Sequence, residues 1–127
     1  MRRKEKKEIQ EQWNPFWDWG IPTAQALTEV AALKKQFPKL TIISSGGITN
    51  GVECVKSAAM GADLFASARP MLKALMTGRR FDSSSGKKLL TEKIDRLILE
   101  FKGAMFLTGC ATISELQQRS PIRTILS

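Results

Sequence analysis

The stretch Thr41-Ile42-Ile43-Ser44-Ser45-Gly46-Gly47-Ile48-Thr49-Asn50-Gly51, followed by Val52–Met60 and Gly61-Ala62-Asp63-Leu64-Phe65-Ala66-Ser67-Ala68-Arg69, decides the fold. Leu40–Ser45 is a short β-branched, apolar run ended by Gly46-Gly47, the pattern of a buried strand and its turn. Gly51–Met60 carries apolar residues at 52, 55, 58 and 59, which is helical spacing. Leu64–Ala68 reads as a second strand. Together they predict one parallel βαβ unit with a right-handed crossover, in which the turns Ser45-Gly46-Gly47 and Ser67-Ala68-Arg69 lie side by side. Gly46 and Gly47 admit positive φ and close approach, so backbone N–H groups and the following helix N-terminus can face an anion, with Arg69 able to add a charge. A Gly-Gly pair after a strand is more often plain turn chemistry.

On the N-terminal side, Ile21-Pro22-Thr23 opens a helix with Pro22 in its first turn. Ala24, Leu27, Val30, Ala31 and Leu33 form its apolar face, and Phe37-Pro38 halts it. After the second strand, Pro70–Thr77 predicts a short helix and Gly78–Lys88, with Ser83-Ser84-Ser85-Gly86, a polar loop. Leu90, Ile94, Leu97, Ile98, Phe101 and Met105 predict a long amphipathic helix over Leu89–Leu107, stopped by Gly109. Thr112-Ile113-Ser114-Glu115 matches a capping box at the start of a short closing helix that runs to about Gln118. The expected organisation is a basic polar segment over 1–15, one folded unit over 16–120 and a tail over 121–127.

Composition narrows the chemistry. A formal net charge of +8 over 127 residues draws the chain to polyanions without choosing among them. Arg2–Lys7 lies close to Trp13, Trp17 and Trp19; such a basic and aromatic pairing suits a single-strand nucleic-acid platform, while a loop packing its aromatics on the body of the protein is the plainer reading. The residues after Lys7 are polar rather than apolar and no run approaches the length of a membrane span, so a cytoplasmic location is expected. Cys54 and Cys110 fit no zinc or redox spacing and read as reduced structural thiols. The chain contains no histidine, which excludes Ser-His-Asp and Cys-His catalysis and imidazole-based metal sites within it.

The order helix, strand, helix, strand, short helix, long helix is that of the final quarter of a (β/α)8 TIM barrel. In such barrels the loops after strands seven and eight, with an extra short helix, form the recurrent phosphate site. A full barrel needs about 250 residues; the fold class expected here is α/β, the C-terminal portion of a TIM barrel, incomplete in this chain.

Asp-Trp-Gly-Ile-Pro-Thr-Ala (18–24), Ser-Ser-Gly-Gly-Ile-Thr-Asn-Gly (44–51), Lys-Ser-Ala-Ala-Met-Gly-Ala-Asp (56–63), Ala-Arg-Pro (68–70) and Met-Phe-Leu-Thr-Gly (105–109) occur in that order. This set resembles the C-terminal part of type 2 isopentenyl-diphosphate isomerase over most of Phe16–Leu116. The Gly-Gly block is shared by many flavin barrels; Trp-Gly-Ile-Pro-Thr together with Met-Phe-Leu-Thr-Gly points to this family. Hydroxy-acid oxidases and IMP dehydrogenase fit less well, the former because they place a catalytic histidine and an arginine before strand seven.

The resemblance implies an FMN-dependent enzyme that interconverts isopentenyl and dimethylallyl diphosphate, with Mg²⁺ on the substrate diphosphate, NADPH able to supply the reduction, and assembly into tetramers or octamers. It places the FMN phosphate against the backbone of Gly46, Gly47, Ile48, Ala68 and Arg69. Thr49 stands where many relatives have arginine. The family's Arg-Lys substrate motif, its substrate-holding His and Gln and its Mg²⁺-binding glutamate have no counterparts here. The expectation is therefore a C-terminal fragment that is inactive alone and self-associates through unpaired strand edges. A fragment of another FMN barrel oxidoreductase and a nucleic-acid-binding module are the alternatives.

Overall fold

A computed structural model describes residues 19–79 and 83–119. In chain order the elements are α1 (Thr23–Ala32) with a 3₁₀ turn at Leu33–Lys35, β1 (Ile43–Ser45), α2 (Gly51–Ala59), β2 (Leu64–Ala66), α3 (Arg69–Arg79), α4 (Ser83–Thr108) and α5 (Ile113–Arg119). The strands pair in parallel, Ile43 with Leu64, Ser44 with Phe65 and Ser45 with Ala66, and α2 is the crossover between them. The βαβ unit expected from the glycine punctuation is therefore present. The described residues form a two-stranded sheet and no closed barrel.

Both strands are shorter than their apolar runs. Leu40 N–H closes a turn onto the Phe37 carbonyl at 2.9 Å, and Ile42 N–H donates to the Asp63 carboxylate at 2.9 Å. The Leu40 and Ile42 N–H groups are thus satisfied by a turn and a side chain rather than by a ladder, while the Ile42 carbonyl accepts from Asp63 and Leu64 N–H at 2.9 and 3.2 Å. The serine-rich stretch also departs from expectation, because Ser83–Lys88 is the first turn and a half of α4 rather than loop. Gly86 is buried there, and packing of α4 along α3 overrides the weak helix propensity of Ser and Gly.

Two apolar clusters flank the sheet's covered face. Leu27, Ile42 and Ala62 form one beneath α1; Val55, Ala58, Ala59, Met105, Cys110 and Leu116 form the other between α2, α4 and α5. Phe65 adjoins both clusters, and its ring lies 5.9 Å from that of Phe101. The opposite face is bare, with Ile43 61% and Leu64 54% exposed. Val30 and Leu33 of the α1 segment and Ile94 and Ile98 of α4, which the spacing assigns to buried faces, are also exposed.

Helix ends follow their sequence signals. Gly109 takes φ 69°, and Gly109 and Cys110 N–H bond back to Phe106 and Met105, the double closure of a Schellman cap. Thr112 Oγ1 accepts from Glu115 N–H at 3.1 Å, while the Glu115 carboxylate accepts from Ala111 N–H at 2.9 Å, one residue before the expected position. Cys54 and Cys110 are buried and unpaired, and burial pushes the Cys54 thiol up. Among the described residues no single helix is long and apolar enough to cross a membrane. Arg2–Lys7, Trp13, Trp17 and the 121–127 tail lie outside the described residues; Trp19 is exposed.

One ion pair locks the sheet to both outer helices. Lys34 Nζ donates to the Asp63 carboxylate at 2.7 Å and to the Gly61 carbonyl at 2.9 Å, while Gln117 reaches Asp63 at 3.3 Å from α5. Burial raises Asp63, but hydrogen bonds from Lys34, Ile42 N–H and Gln117, with the Lys34 charge, outweigh it and hold the carboxyl below its ordinary value. A depressed folded-state pKa gives stability that is complete above the unfolded value, about 3.9, and is lost as pH falls through the folded one. Asp63→Asn should cost about 1 kcal/mol at pH 7, discounted for partial exposure. Urea melts at pH 7 and pH 3 check this: the gap between the native chain and the variant narrows in acid, and a gap that stays constant contradicts it.

Candidate functional site

The site is built where β1 and β2 end. Gly46 and Gly47 follow β1 with φ 95° and 73°, and buried Ile48 anchors the turn. A Cβ on Gly46 would come 2.8 Å from Thr23 Oγ1, whereas one on Gly47 would meet nothing within 4 Å. Gly46 is therefore required by both its conformation and its neighbour. Gly47 is required by its conformation alone, and it leaves an open cradle in front of the turn.

The second turn is fixed to the first. Ser67 Oγ donates to the Ile48 carbonyl at 2.7 Å, so the two strand-end turns lie side by side as the parallel pairing predicted. Thr23, in the first turn of α1, donates to the Gly46 carbonyl at 3.1 Å from the other side. The Ala68 carbonyl accepts from Leu72 N–H at 2.9 Å and starts α3. Among the described residues, the N–H groups of Gly47, Ile48, Ala68 and Arg69 donate no hydrogen bond within the protein. All five residues assigned to the phosphate, Gly46, Gly47, Ile48, Ala68 and Arg69, thus belong to two adjoining turns.

The start of α2 is less available than its sequence suggests. Asn50 Oδ1 accepts from Glu53 N–H at 3.0 Å and Glu100, reaching across from α4, accepts from Gly51 N–H at 3.1 Å. Glu53 takes both the N–H and the hydroxyl of Thr49. The bond from Thr49 N–H chiefly holds the Glu53 carboxyl below its ordinary value, and the bond from Gly51 N–H does the same for Glu100. Two of the first N–H groups of α2, those of Gly51 and Glu53, are consequently taken, and the donors left for an anion are chiefly those of the turns, with the helix N-terminus adding its field. The sequence pointed to the glycines. Ser67 and Thr23, which tie the turns across long sequence separations, carried no local signal beyond being polar at an element's end.

Outside the turns, Thr49, Asn50 and Arg69 border an open cleft of about 920 Å³ between α3 and α4. Lys93 Nζ donates to the Thr49 carbonyl at 3.0 Å, so α4 also supports the turn. The residues present fit a phosphate monoester: unsatisfied backbone donors, an open cradle at Gly47 and a positively charged margin are the features of an anion nest. Among the described residues no group of three or more Cys, Asp or Glu stands together as a metal site.

Comparison with known proteins gives the family. Residues 17–123 match the family model described as FMN-dependent dehydrogenase. The chain is 47% identical over 105 residues to an isopentenyl-diphosphate delta-isomerase of Chlorobaculum parvum, an alignment covering 80% of this chain and 27% of that protein. It is 44% identical over 108 residues to the protein of that name from Pelodictyon phaeoclathratiforme, covering 83% and 28%, and 43% identical over 107 residues to that of Sulfurisphaera tokodaii, covering 84% and 26%. The chain thus spans about a quarter of the length of the curated relatives it matches, and these relatives are the ones that the ordered motifs resemble.

Proposed function

Since the chain belongs to the FMN-dependent dehydrogenase family, we propose that it supplies the flavin-phosphate grip of an isopentenyl-diphosphate isomerase and acts in the cytoplasm. The observation that carries this reading is the pair of turns, Gly46–Ile48 and Ala68–Arg69, joined by the Ser67 to Ile48 hydrogen bond and presenting N–H groups with no acceptor of their own. Gly47 and Ile48 on one side and Ala68 and Arg69 on the other would hold the FMN phosphate. Reduced FMN, when bound, supplies an acid/base group for moving the double bond of isopentenyl diphosphate. Mg²⁺ on the substrate diphosphate and NADPH as reductant belong to the proposal through the relatives, and no residue here is assigned to them.

β1 and β2 are, in this reading, the last two strands of a TIM barrel. Exposed Ile43 and Leu64 would face its interior, and the groove beside β1, lined by Ile21, Val30 and Ile43, would receive the preceding element. The chain by itself binds a phosphate and positions nothing over it. Orientation of reacting groups contributes about 7–11 kcal/mol to such catalysis. The purified chain, given reduced FMN, Mg²⁺ and isopentenyl diphosphate, should therefore yield no dimethylallyl diphosphate above a protein-free control, and should sediment as oligomers through its open sheet. Turnover that disappears in a Gly47→Val variant would overturn the assignment of this part to phosphate binding alone.

A second reading keeps the turns and changes the chemistry: the family model is described by dehydrogenation, so the same grip would serve an FMN oxidoreductase. The isomerase reading is preferred because the relatives aligned over 80% or more of the chain bear that name.

A further inference from the structure

An apolar groove runs along the seam between α2 and α4. Val52 and Val55 of α2, Gly103, Ala104 and Leu107 of α4 and Leu116 of α5 line it, and its volume is about 490 Å³. Val52 is 45% and Leu107 84% exposed at its walls, and a Cβ on Gly103 would meet nothing within 4 Å. Apolar surface gathered in one concavity is a place where another apolar group binds. No strand residue belongs to its walls, so strands added at either edge of the sheet would leave it open.

The chain leaves α5 beside this groove. Leu116 stands in the wall, three residues before Arg119, the last residue of α5. Arg119 donates to the Gly109 carbonyl at 3.2 Å, which fixes the exit next to Thr108, where the groove's α4 wall ends. Residues 120–127 lie outside the described residues, and their sequence is Ser120-Pro121-Ile122-Arg123-Thr124-Ile125-Leu126-Ser127. Pro121 cannot continue the helix, and Ile122, Ile125 and Leu126 have the i, i+3, i+4 spacing that gathers side chains on one face. The α4 wall from Glu100 to Thr108 is about 12 Å long at a rise of about 1.5 Å per residue. The eight residues Ser120–Ser127 reach about 25 Å when extended, enough to turn back and cover it.

We propose that Ile122, Ile125 and Leu126 dock in this groove of their own chain. A segment tethered at the end of the groove meets it at an effective concentration of about millimolar, which a second copy in dilute solution does not match. The assignment is independent of the flavin grip, since it uses none of the residues of the two turns.

Cysteine cross-linking of the full chain tests it. Ser127→Cys keeps all three apolar side chains and is combined with Val52→Cys or Gly103→Cys in the groove, or with Ile98→Cys, an exposed position of α4 outside it. Cys54 and Cys110 are buried and shielded from the mild oxidant. Mass spectrometry and non-reducing gels should show a disulfide within one chain, formed at Val52 or Gly103 in at least about tenfold greater yield than at Ile98, the advantage of a docked over a roaming tether. Adding Ile125→Asp to the same chains should bring the groove positions down to the Ile98 yield. Equal yields at groove and control positions, no disulfide at either groove position, or a yield untouched by Ile125→Asp would overturn the proposal. A groove disulfide found chiefly between two chains would give the groove to a second copy and overturn it as well.

Discussion

Gly51→Ala should destabilise the chain by about 3 kcal/mol, the upper end of what overpacking costs. Gly51 is buried at the start of α2, and a Cβ there would lie 2.1 Å from Phe101 N, 2.4 Å from the Leu97 carbonyl oxygen and 2.7 Å from the Glu100 carbonyl carbon. All three are backbone atoms of α4, so no side-chain rotation relieves the overlap. The helices must separate, which opens the cluster of Val55, Ala58, Met105 and Leu116 and breaks the bond from Gly51 N–H to Glu100. Alanine's better helix propensity returns at most about 1 kcal/mol. Gly103→Ala is the matched control on α4, because its Cβ would meet nothing within 4 Å, and it should stabilise by about 0.5–1 kcal/mol. Urea unfolding of both variants measures the contrast; equal midpoints would mean that α2 and α4 do not pack this closely.

Gly47→Val should leave the fold standing and remove flavin-phosphate binding. The added side chain meets nothing, so packing is not at issue, but φ 73° is a conformation that a β-branched residue adopts only at a cost of about 1–3 kcal/mol. The turn relaxes by rotating its peptide planes, and the Gly47 and Ile48 N–H groups leave the phosphate position together. Hydrogen bonds to a charged group contribute about 1.5–3 kcal/mol each, so losing two weakens FMN binding by about a hundredfold or more. Fluorescence titration reads the affinity and circular dichroism confirms the fold. A variant that binds FMN within twofold of the native chain would place the phosphate elsewhere.

The sequence carried the βαβ unit because its punctuation is local. Gly46-Gly47 needs positive φ, Asn50 caps α2, and Thr112 with Glu115 caps α5, each within four residues of its partner. It misjudged strand length because the competitor for Ile42 N–H is Asp63, 21 residues away. It read Ser83–Lys88 as loop because local propensity is weak there and tertiary packing is not visible in composition. Apolar spacing told correctly which residues share a face, as with Ile94, Ile98 and Met105, but not what covers that face: Met105 is buried while Ile94 and Ile98 are exposed. The same limit applies at the site. The glycines were legible from backbone need, whereas Ser67 and Thr23 act through side-chain bonds to carbonyls 19 and 23 residues away, and Gly51 is explained only by a helix that arrives almost fifty residues later.

The central claim is that the paired turns grip the phosphate of FMN, and parallel titration of the chain with FMN and with riboflavin tests it most directly. The two flavins share the ring and differ in the phosphate. FMN should bind weakly but saturably and be displaced by inorganic phosphate, and riboflavin should bind at least about tenfold more weakly, the order set by losing a charge-assisted contact. Equal affinity for the two flavins, or FMN binding that phosphate cannot displace, would contradict the claim.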